Sequence, residues 1–557
     1  IATTNPDPTQ TSTSGFGVHL LHGVTGSGKT EVYLRVIQRA LMRGEGAIVL
    51  VPEIMLTPQT TRRFIERFGR DRVALLHSGL TDAQRHEQWS RIATGEASVA
   101  IGPRSALFAP FSTGGDDGDL PARPLGVIVV DEEHDSSYKQ DQLPRYHARN
   151  IASKRAQLEK CPVVLGSATP SLESWSNATS GRFRTHRLPN RVPGARLPDV
   201  RIVDLLEERR HLRELGGTRS IGPALAHALA QTLQTPDLQA LLLLNRRGLA
   251  RCLCCADQSC KWTLRCQHCD ASMVVHERAQ GRRHLRCHHC HAQNSVPTRC
   301  PDCSGRVIPL GAGTQRLEHE ITDLFPDLPG DRVLRLDADT MRRPDDYARA
   351  LDRFARGEAR LMLGTQMIAK GLDFPNVALI GVVNADTALE LPDFRASART
   401  FQLVAQVAGS AGRGGAPARV IVQTMHPNEP AIELASQHDY ETFANSELAL
   451  RRDLELPPHA RMARLVFHDT DHAKAKKASG AAHAALVGAM HAGSVRIRLD
   501  PPTPQDLPRR ADHFRLAIDV FAPTPADLTS ALDHLRALKL VKADARTIVD
   551  VDPIALM

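Results

Sequence analysis

The chain has 557 residues, of which 42% are apolar and 24% charged, with a net charge of +8. That length exceeds what one hydrophobic core serves and fits a globular protein of two or three domains. No apolar run approaches the roughly 18 residues needed to cross a bilayer, which excludes a membrane-spanning protein, and so mild a charge excess only permits a polyanionic partner.

Residues 1–14 are rich in Thr, Ser, Pro and Asn and read as a solvated linker. A phosphate loop follows, Gly23, Val24, Thr25, Gly26, Ser27, Gly28, Lys29 and Thr30, matching G-x-x-x-x-G-K-T. Behind it, Val32, Val36 and Ala40 with Tyr33, Ile37 and Leu41 make one helical face. The glycines let backbone N–H groups and the helix N-terminus surround phosphates, Lys29 reaches the β and γ groups, and Thr30 binds Mg²⁺. ATP and Mg²⁺ are therefore expected.

Short strands at 47–51, 73–76, 99–101, 127–130 and 163–165 alternate with helical segments, which predicts a parallel sheet covered by helices over 15–187. The strand 127–130 runs into Asp131-Glu132-Glu133-His134, placing Asp131 where it can hold the metal's water shell and Glu132 where it can orient an attacking water. His134 either couples this site to its neighbours or satisfies a local hydrogen bond. The loop beyond carries Tyr138, Lys139, Arg145, Tyr146, His147 and Arg149, an aromatic and basic interleaving suited to stacking bases and holding phosphates. Lone Cys161 reads as a core residue.

A Pro- and Arg-rich join at 188–198 leads into a second α/β unit over 188–250 and 310–435, with strands at 241–244, 333–336, 361–363, 378–383 and 419–422. Interrupting it, residues 251–309 hold ten of the eleven cysteines, and nine Lys or Arg against four acids. Cysteine pairs in a long chain suit metal ligation in a reducing compartment, which places the protein in the cytoplasm. Cys266-x-x-Cys269 and Cys287-x-x-Cys290, 17 residues apart, have zinc-ribbon spacing. Cys300-x-x-Cys303 needs an upstream partner pair. His268, His284, His288, His289 and His291 are expected to face solvent or nucleic acid. Residues 436–557 read as a small α+β domain.

Several segments resemble superfamily 2 helicase motifs in order: 51–60, Gly102-Pro-Arg104-Ser105, Gly166-Ser-Ala-Thr169-Pro170, the stretch 364–374 with Thr365, Gln366, Gly371 and Asp373, and Gln406 to Arg413. The chain more closely resembles the PriA, or primosomal protein N′, family through Gly23 to Tyr33, Asp131 to Gln140, Asn245-Arg-Arg-Gly248 and Val549 to Ile554. The resemblance implies two RecA-like P-loop helicase lobes, an inserted two-zinc domain and a small C-terminal domain. It implies an ATP-dependent 3′ to 5′ DNA helicase that binds forked DNA and initiates primosome assembly, with single-stranded DNA-binding protein and other primosome proteins as partners and no membrane. It marks Gln406 and Arg413 as catalytic, Gly371 and Asp373 as nucleotide-side residues, and Arg104, Thr365 and Gln366 as DNA-facing beside Tyr138, Lys139, Tyr146 and Arg149. The family's leading 3′-end-binding and winged-helix domains have no counterpart here, nor does an adenine-reading glutamine motif.

The family nests its zinc ligands, the first pair joining the fourth. This implies Cys260 with Cys300 and Cys303, while Cys252, Cys254 and Cys255 compete for the remaining place; an assumed two-residue insertion selects Cys255. Two positions depart from the family: Ser410 replaces the first arginine of the last motif, and Ala398 stands where a glutamate is usual. These predict weakened hydrolysis with retained binding. The alternative function is an attenuated motor acting as a DNA-binding primosome scaffold; an RNA-directed helicase is a further rival.

Overall fold

A computed structural model describes residues 15–556 except 56–57, 112–122, 193–197, 215–219, 245–251, 256–259, 261, 263, 270–272, 278–282, 288–289, 291, 311–313, 338–339, 342–343, 366–367, 369–373, 392, 411–417 and 543–546. The first sheet consists of β1 (Gly17–Gly23), β2 (Gly46–Leu50), β3 (Val73–Leu75), β4 (Val99–Gly102), β5 (Leu125–Asp131), β6 (Pro162–Ser167) and β7 (Arg184–Leu188). Its order is β3-β4-β2-β5-β6-β1-β7, and every pairing is parallel. Helix-covered parallel strands are buried on both faces, so the central ones read as unbroken apolar runs such as Val127 to Val130.

The second sheet starts with β8 (Asp199–Asp204) and β9 (Gln239–Leu244). The chain then forms the cysteine segment, with β10 (Cys252–Cys255), β11 (Val274–Glu277), β12 (Arg283–Arg286), β13 (Gln293–Ser295) and β14 (Val307–Leu310). It returns through β15 (Val333–Leu336), β16 (Leu361–Gly364), β17 (Val377–Asn384) and β18 (Arg419–Thr424) to complete the parallel order β15-β16-β9-β17-β18-β8. The strands that enter and leave the insert, β10 and β14, pair antiparallel. Joining its two ends in this way lets the segment be inserted without disturbing the sheet.

The last part of the chain carries β19 (Arg461–Asp469), β20 (Arg498–Leu499), β21 (Thr503–Arg510), β22 (His513–Ala522) and β23 (Thr547–Val551), antiparallel throughout. Alternate residues of its strands, Ala463, Leu465 and Phe467 with Ile518 and Val520, pack against the helices His472–His491 and Pro525–Ala537. This is the expected α+β domain. By contacts the chain divides into two compact units, Ile1–Asn245 with Glu320–Ala388 and Ser397–Asn445, and Arg246–His319 with Leu389–Ala396 and Ser446–Met557. Both parallel sheets belong to the first; the insert and the antiparallel domain belong to the second.

Within the two parallel sheets, three strands go beyond the sequence expectation. β1 reads Gly-Val-His-Leu-Leu-His-Gly, too mixed to signal a strand, yet it lies inside the sheet between β6 and β7. The edge strand β7 is polar and half-exposed, and β8 follows the Pro-rich join. Cys161 is buried, and burial pushes its thiol up to about 12, as suits an inert core residue. No helix among the described residues is long and apolar enough to cross a membrane.

Candidate functional site

β1 ends at Gly23, and the helix Lys29–Met42 starts six residues on, so the phosphate loop forms a turn between a central strand and a helix N-terminus. Gly26 at φ 80° and Gly28 at φ 87° lie in the left-handed region, where a side chain would be strained. Lys29 Nζ donates to the Gly23 carbonyl at 2.9 Å, curled over the loop that a phosphate chain would enter.

Asp131 ends β5 and faces that loop. Tyr33, one helical turn beyond Lys29, donates its hydroxyl to Asp131 Oδ1 at 2.9 Å, and Tyr138 donates to the Asp131 carbonyl at 2.7 Å. Burial and the neighbouring Glu132 push Asp131 up to about 6, while the Lys29 ammonium opposes the rise, so a bound cation would lower it again. Gly166 makes the Tyr33 contact possible, because a Cβ there would meet the tyrosine hydroxyl at 1.6 Å. Glu132 has φ 46°, a strained conformation for a non-glycine residue that holds its carboxylate at the strand end. His134 lies 3.6 Å from Glu132 and 2.8 Å from Ser167 Oγ, linking the acidic turn to the Ser-Ala-Thr segment.

The wholly buried Glu133 was not singled out in the sequence. Its carboxylate accepts from Arg149 Nη1 at 2.7 Å, Ser171 N–H at 2.6 Å and Ser174 Oγ at 2.9 Å, tying the acidic turn to the helices Ala148–Glu159 and Leu172–Thr179. A second missed residue is Arg191. It donates to the Gly409 carbonyl at 2.9 Å and packs on Gly26, while Val192 N–H donates to the Gly26 carbonyl at 3.0 Å. Gly409, on the helix Ala396–Ser410 of the second sheet, meets Thr25 so closely that a Cβ there would lie 2.3 Å from its hydroxyl. Thr25, Lys29, Asp131, Glu132, Arg191 and Gln406 line one cleft of 710 Å³. The signal for Arg191 was available only as a basic residue in a Pro-rich join, which says nothing of its neighbours.

The aromatic loop departs from expectation. Tyr138 is fully buried beneath Asp131, and Lys139 and Arg149 are buried too, Arg149 being consumed by Glu133. None of the three presents a face on which a base could stack; Tyr138, Lys139 and Arg149 turn inward to brace the acidic turn, while Arg145 and His147 stay partly exposed. Tyr146 remains half-exposed in an edge-to-face pair with the exposed Phe108, ring centroids 5.5 Å apart. Arg104 Nη1 donates to the carbonyls of Ser137 and Lys139 at 2.8 and 2.9 Å, clamping the loop. The Thr365 backbone carbonyl accepts from Ile368 N–H at 3.0 Å, closing a turn. Gln366, Gly371, Asp373 and Arg413 lie outside the described residues, as do Asn245 to Gly248. Ser410 Oγ donates back to the Val407 carbonyl at 2.8 Å, and Ala398 is buried.

The cysteines gather into two described clusters, Cys255, Cys260, Cys300 and Cys303, and Cys266, Cys269, Cys287 and Cys290, with all sulfurs of a cluster within 4.8 Å of one another. The pairs Cys255–Cys303, Cys260–Cys300 and Cys266–Cys290 stand 3.3, 3.7 and 3.6 Å apart. A disulfide needs about 2.05 Å. Four thiolates about 2.3 Å from one zinc ion sit about 3.8 Å from each other, so both clusters fit a closed tetrahedral metal site. The outer cluster encloses the inner one in sequence. Cys252 and Cys254 lie on β10 beside Cys255, their side chains outside the description. His268 is engaged with Asp512 at 2.8 Å, and His288, His289 and His291 are outside the described residues.

The DEAD/DEAH box helicase family matches residues 12–177, and the primosomal protein N C-terminal domain family matches residues 452–554. The replication restart protein PriA of Bacillus subtilis (strain 168) is 46% identical over 460 residues, 82% of this chain and 54% of that protein. That of Synechocystis is 43% identical over 471 residues, 83% of this chain and 54% of the relative. The Treponema pallidum protein of the same name is 40% identical over 490 residues, 87% and 69% respectively. The chain thus spans about half the length of the first two relatives.

Proposed function

The chain belongs to the replication restart protein PriA family, and from that premise we propose that it is an ATP-hydrolysing 3′ to 5′ DNA helicase that binds forked DNA and initiates primosome assembly at stalled forks. The observation that carries this reading is the cleft in which the phosphate loop and Asp131 of one parallel sheet meet Gln406 and Gly409 of the other. Lys29 holds the β and γ phosphates, Thr30 and Asp131 hold Mg²⁺, Glu132 orients water, and Gln406 and Arg413 act from the second sheet, with Gly371 and Asp373 on the nucleotide side. Hydrolysis that changes how Thr25 and Arg191 meet Gly409 would move one lobe against the other. DNA is taken up by Arg104, Tyr146, Thr365 and Gln366. Zinc occupies the two cysteine clusters as a closed structural metal. Partners are single-stranded DNA-binding protein and other primosome proteins, in the cytoplasm.

One observation favours a second reading, an attenuated motor that serves as a scaffold. Ser410, where the family has arginine, spends its hydroxyl on its own helix, so position 410 offers no cation to the γ-phosphate. ATP-driven opening of a forked duplex separates the two. The helicase reading expects turnover by the parent chain; Ser410→Arg should raise it about 10-fold or more, a small share of the roughly 10³ to 10⁵ that an arginine finger supplies. DNA binding without any turnover, in parent and variant alike, leaves the scaffold.

A further inference from the structure

We propose that the turn Ala511–Asp512 of the C-terminal domain forms part of the outer shell of the inner cysteine cluster, so that docking of the β21–β22 hairpin and metal retention by Cys266, Cys269, Cys287 and Cys290 are one coupled event. The inference rests on reading that cluster as a metal site.

Arg510 pairs with His513, leaving a two-residue loop in which Ala511 and Asp512 have φ of 49° and 62°. Such a loop is tight, and it matches the twist of an antiparallel pair. Its tip is occupied with the knuckle between the first two ligands. Ala511 N–H donates to Cys269 Sγ at 3.0 Å. Asp512 N–H donates to the His268 carbonyl at 2.8 Å, and the Asp512 carboxylate meets His268 Nδ1 at 2.8 Å. Arg509 donates to the Gln267 carbonyl. Three consecutive knuckle residues are thus each held by the hairpin. The outer cluster is braced by its own segment instead, Cys255 N–H donating to the Trp262 carbonyl at 3.1 Å and Cys300 N–H to the Gly305 carbonyl at 2.9 Å.

An N–H aimed at a ligating thiolate stabilises its charge and fixes its direction, and losing such a partner commonly costs about 10- to 100-fold in metal affinity. Linkage makes the effect reciprocal: if the hairpin tightens the metal, the metal tightens the hairpin. A strained turn with two non-glycine residues at positive φ is accounted for if its geometry is what presents the Ala511 N–H to the sulfur.

The test uses the full chain carrying two zinc ions, challenged with a chelator while a thiol-alkylating reagent and mass spectrometry record which cysteines become reactive. In Arg509→Ala/Asp512→Ala, the inner four cysteines should be alkylated about 10-fold faster than in the parent, with the outer four unchanged. Ala511→Gly keeps the N–H and relaxes the backbone, and should keep the parent rate. Equal acceleration of both sets, or of neither, overturns the coupling. A chain that carries no metal as purified overturns the metal reading and the coupling together.

Discussion

The strand that carries Asp131 and the cysteine insert hold their functional groups in opposite ways. In β5, Val127, Ile128, Val129 and Val130 are almost wholly buried and deliver Asp131 to the strand end without help from any ligand. In the insert, a described core cluster consists of Leu253, Met273 and Leu285 beside Cys266, Cys269 and Cys287. There the thiols proposed to hold metal are themselves part of the core. In the first case the fold makes the site; in the second, on the proposed reading, the site would make the fold.

Removing metal should therefore break the comparison open with the largest effect. A structural zinc site contributes about 10–16 kcal/mol of apparent folding free energy in small domains, and the apolar core beside it is small: Leu253, Met273 and Leu285 buried, with Trp262, Leu264, Ala292, Val296 and Val307 partly buried against them. Chelation should abolish hydrogen-exchange protection across β10 to β14 and leave β1 to β7 protected. Protection that survives in the insert after complete metal removal would mean its core is sufficient alone.

Within the sheet unit, the corresponding weak point is Glu133 rather than any catalytic group. Glu133→Ala removes the close carboxylate of buried Arg149 and leaves only Glu173, 3.9 Å away, as its acidic partner; breaking such a buried pair typically costs about 3–5 kcal/mol. The urea transition of the unit containing both sheets should move accordingly, while the exchange protection of the cysteine insert stays put. A shift below about 1 kcal/mol would show that Glu173 takes over the Arg149 charge, and that the acidic turn is held by strand packing.

The two regions also differ in how much of them can be read in the sequence. The phosphate loop and Asp131 were legible because their chemistry fixes both residue type and spacing, and the strands flanking them because burial on both faces leaves unbroken apolar runs. β1 was not, since its interior place in the sheet comes from neighbours more than 100 residues away rather than from its own Gly- and His-broken pattern. Glu133 read as one acid among three, and its burial is set by Arg149 and Ser171, which no local pattern connects. In the insert the pairs were visible from C-x-x-C spacing, whereas the hairpin that reaches Cys269 lies more than 200 residues away.

An acid titration sharpens the contrast at intermediate size. His22 lies just before the phosphate loop, edge-on to Trp175 and Tyr440, and burial with the nearby Arg187 lowers its pKa to about 4. The unfolded chain binds a proton near 6.5 that the folded one refuses until about 4. Stability from this group is thus unaffected above 6.5 and falls as pH drops between those values, by about 1.4 kcal/mol per unit. Between pH 7 and 5 the loss is about 2 kcal/mol, on the same scale. His22→Gln should remove that share of the acid sensitivity, measured as the pH slope of the denaturation midpoint; an unchanged slope would assign the sensitivity to the other partly buried histidines His19, His186 and His438.

The smallest effect separates two tyrosines of one loop that sequence treats alike. Tyr138 is buried with its hydroxyl on the Asp131 carbonyl, so Tyr138→Phe removes one hydrogen bond and little else, about 0.5–1.5 kcal/mol. Its signature should be a slightly lower denaturation midpoint with unchanged affinity for a single-stranded oligonucleotide. Tyr146 is half-exposed against Phe108 and is proposed as a face for stacking a base. Tyr146→Ala should leave the midpoint nearly where it was and weaken oligonucleotide binding by about 1–3 kcal/mol if one base is lost from the stack. The reverse pattern, with binding lost at Tyr138 and stability lost at Tyr146, would require the loop to turn itself out when nucleic acid binds.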